Sequence, residues 1–318
     1  MEIGLINNLR AGRSNRLVGR ILDVLRDYPH VHHVETDEAG ALPDALADLA
    51  RRRIDLLVVN GGDGTLQHTL TEILANDVFQ HAPLIAPLRG GRTNMTAMDL
   101  GASRDPVRGL RGVLEAARTG RLHERLVNRP VLRVGFDRGR RVEYGMFYGA
   151  GMIQRAISVV HQMFPPGHGQ GAFGAGVLTM ALVAKSMWRP REGLLRPDKI
   201  DIHLDSLPVN GGEFRLTIST SLRRLFWRLD PFWGAGRGPV RFTCIGSDAR
   251  HIARAAPRIL WGRPAPFLAP ENGYTSRNVE HAELRLSCGF TIDGEIFAPC
   301  DDEVVTIGAD RRISFVRT

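Results

Sequence analysis

Residues 58–65 read Val58-Val-Asn-Gly-Gly-Asp-Gly-Thr65. An apolar run from Asp55 to Val59 stops at two glycines, an acid, a third glycine and a threonine. Leu66, Leu70, Ile73 and Leu74 then recur at helical spacing. The pattern is a strand, a tight loop and a helix start. Gly61, Gly62 and Gly64 carry no Cβ, so backbone N–H groups there can approach an anion closely. The helix that follows turns the positive end of its dipole toward the same point. Asp63 would repel a bare phosphate, so its presence points to Mg²⁺ bridging the acid and a nucleotide.

Outward from this loop, the first 120 residues alternate strand and helix. Strands are expected at Glu2–Asn7, Val31–Glu35, Leu56–Val59 and Leu84–Leu88. Helices are expected at Ser14–Asp27, Pro43–Arg52, Thr65–Ala75, Thr93–Leu100 and Pro106–Thr119, with Ser14 as an N-cap and Pro43 in a first turn. Strands joined by helical crossovers imply a parallel sheet with helices on both faces. Ligands of such sheets bind beyond the carboxyl ends of the strands. The glycine loop and a second one, Arg89-Gly-Gly-Arg-Thr-Asn94, both fall at such ends.

After Leu122 the texture changes to short β-like runs divided by glycine, proline and charged turns, at 131–136, 143–148, 200–204, 214–219, 240–244, 284–287, 290–292 and 304–307. One helical stretch, about 174–188, interrupts them. The expected fold is α/β plus β: an N-terminal parallel α/β nucleotide-binding domain and a β-rich, sandwich-like second domain.

Composition narrows the function classes. The 318 residues suggest two domains, and an apolar share of 43% is ordinary for a globular protein with a full core. The formal net charge is +8, but no helix-turn-helix, zinc-finger or RNA-binding signature accompanies it, so nucleic acid is not an expected partner. Cys244, Cys288 and Cys300 have no metal-ligand spacing and cannot all pair, which suggests a reducing, cytoplasmic compartment. The most apolar window, 172–188, contains Lys185 and two glycines, and is too short to span a membrane. It suits either a core helix or the lining of a cleft for an acyl chain. The stretch Leu222-Arg-Arg-Leu-Phe-Trp-Arg-Leu-Asp-Pro-Phe-Trp233 mixes three arginines with aromatic rings. It suits either a half-buried strand or a membrane interface.

These residues resemble the diacylglycerol kinase catalytic-domain family, which includes bacterial lipid kinases and sphingosine kinases. Gly61–Thr65 match its Gly-Gly-Asp-Gly-Thr motif in full. Asn8 and Gly12 match the ends of its Asn-Pro-x-Ser-Gly segment, and Thr36 matches the Thr after its second strand. Pro87-Leu88, Gly91, Asn94 and Leu100-Gly101 match its second loop and the helix after it, and Asp293-Gly294-Glu295 match its C-terminal Asp-Gly-Glu. Two departures stand out. Arg92 occupies the place of the family's Thr, with Thr93 one position later, and 230–239 lacks the acidic pair that family members use for a structural metal.

The resemblance implies ATP and Mg²⁺ as cofactors, a lipid as acceptor, and peripheral attachment of a cytoplasmic protein to the membrane surface, with a homodimer among the expectations. It implies that Asn8, Gly12, Thr36, Gly61, Gly62, Asp63, Gly64, Thr65, Thr93 and Asn94 line the nucleotide site. It places Asp293 or Glu295 as the catalytic base, with Asp63 and Glu295 toward the metal. Asp293 and Glu295, two apart on a strand-like run, would start on one face; a plain hairpin tip at Asp293-Gly294 is the alternative. The domains are expected at 1–122 with 298–318 returning to the first, and 123–297. A NAD kinase-like enzyme and a catalytically inactive nucleotide-binding regulator are the competing functions.

Overall fold

A computed structural model describes residues 1–11, 14–37, 40–163, 196–209, 212–298 and 302–318. These form two units, one of residues 1–129 and 311–318, the other of 130–163 and 196–310. Both divisions lie further along the chain than the change in sequence texture suggests. They fall inside two long strands, β5 (Leu126–Phe136) and β16 (Glu303–Val316), which run unbroken through the divisions.

The first unit is built on parallel strands β1 (Ile3–Asn8), β2 (Val31–Thr36), β3 (Leu56–Gly61) and β4 (Leu84–Arg89), in the order β2-β1-β3-β4. The end of β16 continues the sheet, with Phe315 paired in parallel to Ile85 on β4. Helices cover both faces, which explains why β1, β3 and β4 are buried along nearly their whole length rather than on alternate residues. Ile3, Leu5, Leu56 and Val58 pack with Ile21 and Val24 of α1 (Ser14–Leu25) and with Leu110, Val113 and Leu114 of α5 (Pro106–Arg118). Gly4 on the opposite face lies against Leu49 of α2 (Ala41–Arg51), where an added Cβ would stand 3.1 Å from the leucine methyl. The α5 start obeys capping chemistry: Asp105 accepts from Val107 N at 3.0 Å and Pro106 takes the first turn.

This strand order has a consequence for ligands. The chain leaves β1 to form β2 on one side and returns to form β3 on the other. The crevice beyond the carboxyl ends of β1 and β3 is therefore the topological switch point, where open α/β sheets bind ligands.

The second unit is β-rich. One group of strands comprises β6 (Arg141–Gly145), β5, β16, β13 (His281–Leu286) and β8 (Asp198–Leu204), with the short β9 (Leu207–Pro208) on β8. The other comprises β15 (Glu295–Phe297), β14 (Phe290–Ile292), β7 (Phe147–Gly151), β10 (Glu213–Thr220), β11 (Val240–Gly246) and β12 (Tyr274–Val279). Side chains from both groups share one core, including Leu132, Val134, Tyr148, Ile202, Phe242, Leu284, Phe290 and Val305. That shared core is the expected sandwich-like arrangement.

Several local expectations are corrected. The run 143–148 is two strands, broken at Met146. Its N–H donates to Asp293 Oδ2 at 2.8 Å, so a side chain replaces the ladder acceptor there, while its carbonyl accepts from Thr220 Oγ1 at 2.7 Å and from Ser221 N at 3.2 Å. Two further helices occur, α6 (Met152–Met163) and α7 (Ile252–Leu260). Pro257 inside α7 hides that helix from a reading of the sequence. The helical stretch expected at 174–188, and with it Lys185, lies outside the described residues, as do Gly12 and Cys300. Cys244 and Cys288 are free and buried, and burial pushes their thiols up to about 12 and about 11, which leaves them unreactive near neutral pH. Among the described residues no helix is long and apolar enough to cross a membrane.

Candidate active site

The carboxyl ends of β2, β1, β3 and β4 carry Thr36, Asn8, Gly61 and Arg89 in that order across the sheet. Helix α3 (Asp63–Leu74) begins two residues earlier than expected, with Gly62 as its N-cap, so Asp63 and Gly64 belong to its first turn. Asn8 Nδ2 donates to Thr65 Oγ1 at 2.8 Å, a bond that spans the switch point. Asn8 Oδ1 also accepts from Arg10 N at 2.9 Å, and Leu9 N donates to the Thr36 carbonyl at 2.9 Å. The ends of three strands and the first turn of α3 are thus one hydrogen-bonded surface.

Glycine is required here for close approach. A Cβ on Gly61 would meet the Thr65 Cβ at 2.6 Å. A Cβ on Gly91 would stand 2.3 Å from the Gly62 Cα, a backbone atom that cannot swing away. The two glycine loops therefore touch backbone to backbone. The cavity they leave, lined by Gly61, Gly62, Asp63, Pro87 and Asn94, measures about 10 Å³, room for no more than one water. That space is too small for a phosphate group.

Asp63 welds the loops together. Its carboxylate accepts from Thr93 Oγ1 at 2.6 Å, Met95 N at 2.9 Å and Thr96 N at 3.1 Å, with the Asn94 N–H also directed at it. Met95 opens α4 (Met95–Asp99), so an acid from one loop caps the helix that follows the other. Burial nevertheless pushes the Asp63 carboxyl above its ordinary range, outweighing these four donors. Asn94 holds the second loop in shape from within. Its backbone is left-handed at φ 50°, its Oδ1 accepts from Gly91 N and its Nδ2 donates to the Gly91 carbonyl, each at 2.7 Å. At the far end of α4, Asp99 pairs with Arg129 at 3.5 Å.

The sequence reading did not single out Asn7 and Asn60. They face each other on β1 and β3, fully buried, with Asn60 Nδ2 donating to Asn7 Oδ1 at 2.6 Å directly beneath the loops. The available signal was an amide near the carboxyl end of each of the two strands, Asn7-Asn8 on β1 and Asn60-Gly61 on β3. Arg89 lies half-buried at the end of β4, where burial and, to a lesser degree, the charge of Arg104 lower its basicity. Two cations in that relation favour an anion between them.

Asp293 and Glu295 sit in the second unit and do not share one strand run. Asp293 and Gly294 form the two-residue turn between β14 and β15, with φ 48° and 95°, and Ile292 pairs with Glu295 across it. Positive φ at both positions is the hairpin chemistry of an Asp-Gly pair, so same-face placement by strand alternation does not hold. The tip is nonetheless not a solvated loop. Asp293 is buried, its N–H donates to the Phe147 carbonyl at 2.9 Å, and its Oδ2 takes the Met146 N–H. A Cβ on Gly145 would meet that oxygen at 2.7 Å, so the glycine makes the space for the carboxylate. Glu295 is half-buried at the start of the return strand.

The family model for the diacylglycerol kinase catalytic domain matches residues 2–124. The fold is similar over all of this chain to that of a diacylglycerol kinase from Bacillus anthracis str. Sterne, with a TM-score of 0.64, 14% identity and 97% of that chain covered. Two further structures from the same organism, provisionally described as diacylglycerol kinases, give TM-scores of 0.68 and 0.67 at 14% and 16% identity, each with 100% of this chain and 97% of theirs covered. No curated protein matches the chain. The glycine loops at the switch point, with the strand and helix around each, lie wholly inside residues 2–124, the segment that matches the diacylglycerol kinase catalytic domain.

Proposed function

We propose that the protein is an ATP-dependent lipid kinase that transfers the γ-phosphate to a hydroxyl of diacylglycerol, a sphingoid base or a related lipid. The observation that carries this reading is the locked pair of glycine loops at the switch point of a diacylglycerol kinase domain. Phosphoryl transfer asks a protein chiefly for positioning and charge neutralisation. Rigid loops with backbone N–H groups at a helix start supply the first, and Arg89 with Arg104 contributes to the second.

Within this reading, the amides of Gly61, Gly62 and Gly64 hold phosphate oxygens from the outer face of the loop. Thr65 and Asn8 fix the first turn of α3 against β1, and Thr36 lines the neighbouring strand end. Thr93 and Asn94 shape the second loop. Asp63 acts as the clamp between the two. Its oxygens already accept four donors, so it does not fit an inner-sphere metal ligand, and among the described residues no group of three His, Cys, Asp or Glu side chains could hold an ion. We therefore assign no protein ligand to Mg²⁺; such an ion keeps much of its shell from water and the nucleotide's own phosphates. Asp293, or its rival Glu295, takes the proton of the attacking hydroxyl.

The test is incubation of the purified protein with ATP and extracted host lipids, followed by mass spectrometry for a mass gain of one phosphate. A phosphorylated lipid that disappears in the Gly91→Ala variant supports the reading. ATP binding by calorimetry with no turnover on any lipid would instead favour the regulator, and labelled NADP from NAD would favour the NAD kinase-like enzyme.

A further inference from the structure

The second unit carries a surface that phosphoryl transfer does not use. Residues 222–263 hold nine arginines against two aspartates, which concentrates in this stretch most of the excess of a chain whose net charge is +8. One of those aspartates, Asp230, is already paired with Arg241 at 2.6 Å. The same stretch holds Trp227 and Trp261, which are 41% and 57% exposed. Two large indoles standing open in a segment with this excess of arginine over acid are the feature to explain.

The indole of Trp227 is displayed by construction. Leu225 N donates to the Leu229 carbonyl at 2.7 Å and Leu229 N to the Phe226 carbonyl at 3.2 Å, closing a tight turn. At its tip Trp227 and Arg228 are both left-handed, with φ 56° and 61°, a conformation bulky residues rarely adopt. Phe226 stacks on the Trp227 ring with centroids 4.8 Å apart and so stiffens it. The base of the turn is anchored in the core. Leu222 and Phe232 are buried, and the Arg241 guanidinium donates to the carbonyls of Leu222 and Arg223 at 3.2 and 2.9 Å while lying 4.8 Å over the Phe232 ring.

Trp261 belongs to the adjoining segment. Asp230 N donates to the Leu260 carbonyl at 2.9 Å, and left-handed Gly262 approaches so closely that a Cβ there would meet the Asp230 carbonyl at 2.6 Å. The turn and the end of α7 are therefore one joined surface, bearing the exposed arginines Arg223, Arg224, Arg228, Arg258 and Arg263.

We propose that this surface docks the protein on an anionic phospholipid bilayer. Tryptophan favours the headgroup layer, with its ring toward the acyl chains and its N–H toward water. Arginine meets lipid phosphates bidentately. The rigid turn places the ring without the ordering cost of a flexible loop. The proposal concerns where the protein meets a membrane, and vesicle binding tests it without any kinase reaction.

The test is co-sedimentation of the full chain with vesicles of phosphatidylcholine alone and of phosphatidylcholine mixed with phosphatidylglycerol. The wild type should bind the anionic vesicles, and more weakly as salt rises. Arg223→Glu/Arg224→Glu/Arg228→Glu should weaken that binding on the order of a hundredfold. Trp227→Ala/Trp261→Ala should weaken binding to both compositions, and Trp227→Phe/Trp261→Phe should restore part of it. Circular dichroism melts should match the wild type, and phosphoryl transfer to detergent-dispersed lipid, which needs no bilayer, should be retained. Wild-type protein that leaves anionic vesicles in the supernatant overturns the proposal. So does binding by either set of variants equal to the wild type.

Discussion

Asp63 and Asp293 each precede a glycine, each is buried, and each lies within a few residues of a strand end, yet the molecule uses them in opposite ways. Asp63 is in the first turn of a helix and its oxygens are filled by donors from a second loop. Asp293 is the left-handed corner of a hairpin and ties that corner to the break between β6 and β7 through Met146. The difference shows that an Asp-Gly pair has no fixed meaning. A carboxylate whose lone pairs are all directed at backbone and hydroxyl donors fixes geometry. It is poorly placed to receive a proton from a substrate, which needs an oxygen within hydrogen-bond reach of the substrate hydroxyl. Of the two aspartates, Asp293 is therefore the one to test as a base.

The sharpest way to break this contrast is Asp63→Ala. It would strand the buried N–H groups of Met95 and Thr96 and the Thr93 hydroxyl, each left unpaired at about 1–3 kcal/mol. Urea melts should show a loss of several of those increments, and phosphoryl transfer should fall to background. Asp63→Asn refines the result, because it keeps the shape but removes the charge. The Asp63 carboxyl titrates above its unfolded value, so the folded state holds its proton longer than the unfolded chain. The contribution of this group is then fully present below about pH 3.9, the ordinary aspartate value, and is lost as pH rises through the folded value. Stability measured against pH should fall over that window in the wild type and lack this component in Asp63→Asn.

Asp293→Asn should give the converse. Asparagine tolerates the left-handed corner and still accepts from Met146 N, so stability should stay within about 1 kcal/mol. The rate should drop roughly 10²–10⁴-fold if the carboxylate is the base. An unchanged rate would move that role to Glu295. The glycines of the two loops provide an internal control of smaller size. Gly91→Ala drives a Cβ into the Gly62 backbone and should cost about 1–3 kcal/mol. Gly62→Ala places its Cβ at an ordinary 3.4 Å from Gly91 and should cost under about 1 kcal/mol. Equal effects would mean the loops do not pack as described.

The smallest effect is expected in the second unit's core. Tyr148 Oη, Thr217 Oγ1 and Ser219 Oγ are buried without a hydrogen-bond partner among the described residues, and the register places Tyr148 opposite Ser219. Hydroxyls in that state cost stability rather than add it. Thr217→Val should leave the melting midpoint unchanged or raise stability by up to about 1 kcal/mol. A clear loss would show that the hydroxyl is satisfied in solution.

The contrast also explains what the sequence could reveal. Strands β1 to β4 and their helices were legible because continuous apolar runs and capping residues such as Asp105-Pro106 act locally. The glycine motif was legible as a loop for the same reason. What Asp63 does with its carboxylate was not, since its partners lie 30 to 33 positions away and are mostly backbone amides, which every residue type carries. The Asn7–Asn60 pair was hidden likewise, 53 positions apart. In the second unit, α7 was masked by Pro257, and the strand break at Met146 is dictated by Asp293 from 147 positions away.

The last strand adds a constraint on synthesis. Its final residues pair with β4, Thr318 Oγ1 bonds to the Pro87 carbonyl, and Ser103 N donates to the Thr318 carbonyl at 2.8 Å. On the ribosome, the unit bearing the glycine loops must therefore wait for nearly two hundred further residues before its sheet is complete. Until then β4 presents an open edge, the state in which chains pair with the wrong neighbour. Removal of 311–318 should consequently appear less as lost activity in a folded protein than as poor recovery of soluble chain.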